Sequence, residues 1–233
     1  MSKSFIYSYR LTYFGRTAPC YDENYLSLAI CKRDMRRVIG YKFSAVKENN
    51  LKDSIWIVGI VGKALGKSNN DFTREDIIYI AKITSVKTFC EYFSDIKNTR
   101  TDKIYIPDTN GQYQNQGKFF SPKANNNVHD DKFLWDRDWD EQHRNKEKFV
   151  LISQEYAFVN KEQSNIIKTE IGKNANYKLA KGVGHTWFEC DNNSNIVTLF
   201  EDIIGYAKNH NKNNLPTSVR NCAYSGCGKD HAI

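Results

Sequence analysis

The chain has 233 residues, with 34 Lys and Arg against 27 Asp and Glu, which leaves a formal net charge of +7. At 40% hydrophobic and 26% charged residues it has the balance of a folded domain, and only four Pro exclude collagen-like and proline-rich readings. Its apolar runs fall far short of the ~20 residues that cross a bilayer. The start MSKSFIYSYR lacks the pattern of a signal peptide, and six irregularly spaced Cys do not make a secreted disulfide framework. The expectation is a cytoplasmic protein without membrane contact. Its excess positive charge fits a nucleic-acid partner as well as it fits plain solubility.

Phe5 to Tyr13 is aromatic-rich and predicts a first strand, broken by Gly15 and Pro19. Leu26 to Lys32 leads into Arg33 to Ile39, which reads as a short helix or a basic turn that Gly40 stops. Ile55 to Val61 is the clearest core strand, and Ile77 to Ile83 is its expected neighbour. Phe89, Tyr92 and Phe93, spaced i, i+3 and i+4, predict a short amphipathic helix. From Asn98 to Glu147 the composition turns polar and Asn-rich, an irregular length that is usually functional. Ile104-Tyr105-Ile106 is a short strand within it. Phe149 to Ser153 and Tyr156 to Val159 resume as buried chain.

Apolar residues at 196, 197, 199, 200, 203, 204 and 207 predict a helix capped by Asn193 or Ser194. No internal repeat and no second core are expected. The sum is an α+β fold, a compact sheet or small β-barrel with a few flanking helices. It forms a single domain over residues 1–207, followed by an Asn-, Lys- and Cys-containing tail over 208–233.

Four groups of residues carry candidate chemistry. Gly182-Val183-Gly184-His185 would let backbone amides approach a phosphate beside an imidazole, although a plain turn explains it too. Lys32, Arg33, Arg36 and Arg37 are the densest basic group and suit adjacent phosphates, with a solvated basic face as the alternative. Asp102, His129, Asp130 and Asp131 offer carboxylates and an imidazole of the kind that hydrolyse a glycosidic bond, residues that surface loops also carry. Cys222, Cys227 and His231 hint at metal spacing, but no upstream pair completes a four-ligand zinc set, so neither metal nor cofactor is expected. Gly62 to Ser68 ends in Gly-Lys-Ser, yet three residues rather than four separate its glycines, which excludes the phosphate loop of nucleotide hydrolases.

Several of these stretches fall in a recognisable order. Ala18-Pro19, Leu26 to Lys32 with Arg36-Arg37, Trp56-Ile57-Val58-Gly59 and Tyr79 to Ile83 are followed by Asp102-Lys103-Ile104-Tyr105, His129, Val150 to Ser153 and Gly182 to His185. Together they resemble the nucleotide modification associated domain 2 family of bacteria and phages, from about Phe5 to about Ile204. Phe14 and Arg16 stand where that family usually has an Asp and a Gly. The strands at 55–61 and 77–83 are also similar to modules of the PUA, ASCH and EVE group, small barrels that read modified bases.

The resemblance implies DNA with modified bases as partner, in a phage, mobile-element or antiphage setting, and protein partners within such a system. Two readings follow from it. A binding module would take a flipped or single-stranded modified base against Tyr9, Trp56 and Tyr105, with phosphates on Lys32, Arg36 and Arg37. An enzyme of glycosylase or hydrolase type would use Asp102 with His129 or His185 as acid or base. A protein partner without nucleic-acid contact is the third possibility.

Overall fold

The computed structural model describes residues 2–11, 19–21, 24–29, 32–49, 51–63, 72–88, 91–92, 102, 105–107, 113–115, 149–182 and 184–210. Its centre is the strand β1 (Lys3–Leu11), nine residues of which all but the first are buried. Burial on both faces explains why Phe5, Ile6, Tyr7 and Tyr9 are apolar or aromatic without strict alternation. On one side β1 pairs in parallel with β4 (Ser54–Val61), and on the other it pairs antiparallel with β11 (His185–Asp191). The expected neighbour of β4 is present as β5 (Ile77–Lys82), antiparallel, with a register shift at Gly59/Ile60. β10 (Glu155–Phe158) completes a five-stranded sheet in the order β10-β5-β4-β1-β11.

A second sheet has the order β2-β3-β9-β6, built from β2 (Cys20–Tyr21), β3 (Leu26–Leu28), β6 (Ser85–Thr88) and β9 (Phe149–Ser153). The two sheets are continuous at one corner, because the β5–β10 pair bends into the β6–β9 pair. Thr84 makes that bend: its N–H donates to the Ile152 carbonyl at 2.9 Å, and its Oγ1 accepts the Gln154 N–H at 3.1 Å. A strand pair that switches sheets in this way is how a corner is turned over a shared core. No strand pair closes the opposite side among the described residues, so the fold is α+β with two sheets and no closed barrel. β7 (Tyr105–Pro107) and β8 (Tyr113–Asn115) form a separate two-stranded ribbon.

Two apolar layers flank the five-stranded sheet, where one core was expected. Phe5, Tyr7, Tyr9, Ile55, Ile57 and Tyr79 face α1 (Arg33–Glu48) and the second sheet. Ile6, Trp56, Val58, Ile80 and Phe188 face α2 (Lys161–Gly172) and α3 (Asn195–Asn209). α3 matches its predicted span and begins after Ser194. The tail beyond 210 and the expected helix around Phe89 and Phe93 lie outside the described residues, apart from two helical residues at 91–92.

Gly40 does not stop α1, which runs 16 residues straight through it. The reason is close packing. A Cβ at Gly40 would stand 2.3 Å from the Phe149 ring, so glycine is what lets the helix lie on β9. Tyr41 stands edge-on to the same ring at 5.3 Å.

Candidate functional site

The structure disperses the basic group. Arg36 is 1% exposed, and its guanidinium donates to the Phe149 carbonyl at 2.6 Å, so it ties α1 to β9 rather than meeting a phosphate. Arg37, the next residue on the helix, is exposed. Lys32 stands before the first turn in the left-handed region, at φ 52°, with its ammonium 5.5 Å above the Tyr9 ring. The expectation that 32, 33, 36 and 37 together suit adjacent phosphates therefore fails on Arg36, and the side chain of Arg33 lies outside the described residues.

The stacking residues are corrected as well. Trp56 is fully buried on the α3 face of the sheet, where it packs on Phe200 with ring centres 5.3 Å apart. Its neighbour strand carries Tyr9 on the opposite face, buried, with its hydroxyl 2.6 Å from that of Tyr79. Burial and the Tyr9 hydroxyl raise the Tyr79 phenol well above its ordinary range. Neither ring is a platform for a base, and the two cannot line one pocket. The backbone of Tyr105 lies in β7, and its side chain is outside the described residues.

Asp102 is 0% exposed. Its carboxylate accepts the Ser27 hydroxyl at 2.5 Å and the Tyr92 hydroxyl at 2.8 Å, with Ser27 and Tyr92 themselves 3.3 Å apart. This buried group fastens β3 to the chain around Tyr92 and Asp102. His129 lies outside the described residues. His185 is the first residue of β11, paired in register with Tyr9, and faces Tyr7 with ring centres 6.4 Å apart. Burial holds its imidazole below the usual value; Asp34 opposes that and Lys32 adds to it. The partners of Asp102 sit on β3 and at Tyr92, and those of His185 at the start of α1 and on β1. The described residues do not join the two into one site.

What the structure does bring together is Lys32, Tyr9 and His185, and beside them a residue the sequence reading passed over. Trp187 projects from β11 on the same face as His185, 51% exposed. It stacks on Tyr7 at 6.1 Å and 27°, and lies 6.4 Å from Phe5. Tyr7 is buried beneath it, and that burial pushes the phenol up to about 12. Along α1, Asp34, Val38 and Lys42 recur every four residues and so share one face. Asp34 bears on His185 at one end of this stripe, and Lys42 sits 3.7 Å over Phe5 at the other. Val38 lies between them, 40% exposed.

The result is an aromatic patch on the edge strand β11, with the exposed ring of Trp187 on Tyr7, His185 on the same face of the strand, and Lys32 and Asp34 at the start of α1 close enough to bear on His185. A flat aromatic surface backed by a second ring, with a cation and an imidazole nearby, is suited to hold a planar ring by stacking. Trp187 was legible in the alternation of His185 to Asp191, where Phe188 and Cys190 point inward and Trp187, Glu189 and Asp191 outward.

Among the described residues no three His, Cys, Asp or Glu side chains are grouped to hold a metal ion. No helix among them is long and apolar enough to cross a membrane. A scan against protein-family models finds no match, and neither a curated protein nor a solved structure matches the chain.

Proposed function

We propose that the protein is a nucleic-acid-binding module that stacks a base of a single-stranded or flipped nucleotide on Trp187 at the edge strand β11. The observation that carries this reading is an exposed tryptophan ring stacked on a buried tyrosine, with His185 and Lys32 beside it. An aromatic face of this kind contributes ~1–3 kcal/mol per stacked base and tolerates base variety, which suits a modified base. Lys32 would meet the phosphate, and His185 would donate to or accept from the base edge. The resemblance to modification-associated proteins and to barrel-type readers supplies the modified base and the antiphage or mobile-element setting, and both belong to this proposal.

The enzyme reading has less support, since Asp102 is closed to solvent and its carboxylate is engaged by the hydroxyls of Ser27 and Tyr92. Fluorescence anisotropy with labelled single-stranded and duplex DNA, with and without a modified base, tests the proposal. Binding should favour single strands and fall about 5- to 150-fold in Trp187→Ala, the range that one stacked base supplies. Equal binding by Trp187→Ala would contradict it, and so would strand cleavage or base release that depends on Asp102.

A further inference from the structure

The strand that carries Trp187 lies at the margin of its sheet. Among the described residues β11 pairs with β1 alone. Its seven residues make it the longest edge strand among them, against four for β10 at the other end of the sheet. Two contacts fix which way its backbone groups point. One residue beyond β11, the Asn192 N–H donates to the Ser2 carbonyl at 3.2 Å, and within it the Thr186 carbonyl accepts the Ser8 hydroxyl at 3.3 Å. The pairing with β1 runs from Asp191 to His185 without a register shift, so even-numbered residues turn their N–H and C=O toward β1. His185, Trp187, Glu189 and Asp191 therefore turn theirs outward. Such an edge is a template for a further strand, and β11 has neither a Pro nor a bulge to blunt it.

We infer that β11 pairs with the β11 of a second copy of this chain, antiparallel and centred on Phe188. Outward groups must face outward groups, so odd residues oppose odd residues and the register moves in steps of two. Centred on Phe188, all seven residues pair: His185 stands opposite the partner's Asp191, and Trp187 opposite the partner's Glu189. Each odd pair exchanges two backbone hydrogen bonds, and at both ends an imidazole meets a carboxylate. The half-exposed side chains of Glu189 and Asp191, both within reach of Lys3, then never stand directly opposite a like charge. Centred on Glu189, the register would set that carboxylate against its own copy, and a parallel pair would do so for Asp191 as well. Centred on Trp187, it would leave Cys190 and Asp191 beyond the end of the partner strand. An extended peptide of another protein would meet the same backbone groups but not this two-fold match of ends. The pairing joins two five-stranded sheets edge to edge and closes on itself. It also sets the two Trp187 residues on one face as diagonal neighbours, about 7–8 Å apart. It holds whether or not Trp187 stacks a base.

Sedimentation equilibrium together with amide hydrogen exchange on the full chain tests this. The expected result is a dimer whose formation, as concentration rises, slows exchange at the N–H groups of His185, Trp187, Glu189 and Asp191. Those of Thr186, Phe188 and Cys190, already bonded to β1, should stay slow throughout. His185→Asp sets carboxylate against carboxylate at both ends and should weaken the dimer about 2- to 30-fold. Mixed with Asp191→Lys it should recover, because one end then pairs opposite charges and the other keeps its imidazole and carboxylate. A chain still monomeric at about 100 µM overturns the inference. So does a dimer that leaves the odd-numbered amides of β11 exchanging as fast as in the monomer, or one that forms equally well in His185→Asp. The exchange pattern is read on the unaltered chain, so it decides the matter even where a variant fails to fold.

Discussion

Two adjacent residues of β11 meet opposite fates. Phe188 points toward α3 and lies under Tyr177, the rings 4.4 Å apart and nearly parallel, so that only 5% of it is exposed. Trp187 points to the α1 side, stacks on Tyr7 from above, and leaves its outer face open. The same contrast holds across the sheet. The α2–α3 face is closed by apolar packing around Trp56 and Phe200, whereas the α1 face is covered by the helix and second sheet but left open at the edge strand. One face holds the fold together, and the margin of the other is free to hold something else.

This division makes separate demands on stability and binding. Phe200→Ala removes a fully buried ring from the closed face and should cost about 3–5 kcal/mol in urea denaturation, with the exposed Trp187 face untouched in whatever remains folded. A loss under about 1 kcal/mol would mean that the closed face is not the one that holds the fold. Gly40→Ala should cost about 1–3 kcal/mol, because the new methyl meets the Phe149 ring that α1 rests on. It also shifts α1, whose first turn bears on His185, so binding should weaken alongside stability.

Asp76 sharpens the comparison through pH. Its carboxylate, 1% exposed, accepts from the Thr73 N–H and hydroxyl and pairs with Lys168 of α2 at 2.6 Å. Burial alone would raise its pKa, but Lys168 and Thr73 outweigh burial and hold it below the ordinary carboxylate value. A depressed folded pKa gives stabilisation that is fully present above about pH 4 and lost as pH falls through the folded value. Asp76→Asn should therefore cost about 1 kcal/mol near neutrality and flatten the acid side of the stability profile. Trp187→Ala should change stability least, within about 0.5 kcal/mol, since half the ring is already in water.

The sequence carried the framework better than the site. β1, β4, β5, β9 and α3 were legible because their apolar runs and helical period are set by burial on a central sheet. α2 was missed, although Asn160 and Gln163 form a reciprocal cap in which each side chain accepts the other's backbone N–H. Its inward face is narrow, with only Ser164, Ile167 and Ile171 buried, so its hydrophobic period is faint. Arg36 and Trp56 were misassigned because residue type indicates what a side chain can bind but not which face of the element it occupies. A guanidinium that reaches a carbonyl across the helix–sheet contact and an indole under α3 look, in sequence, the same as exposed ones. Glycines at 182 and 184 drew attention to a loop, while the strand that starts at His185 carried the exposed ring.

The central claim is that a base rests on Trp187, and photochemical crosslinking addresses it most directly. A single strand bearing one 5-iodouracil, bound to the protein and irradiated, should give a peptide adduct at Trp187 or its strand neighbour His185. Adducts confined to the outer surfaces of α2 or α3, from a strand that binds, would contradict the account.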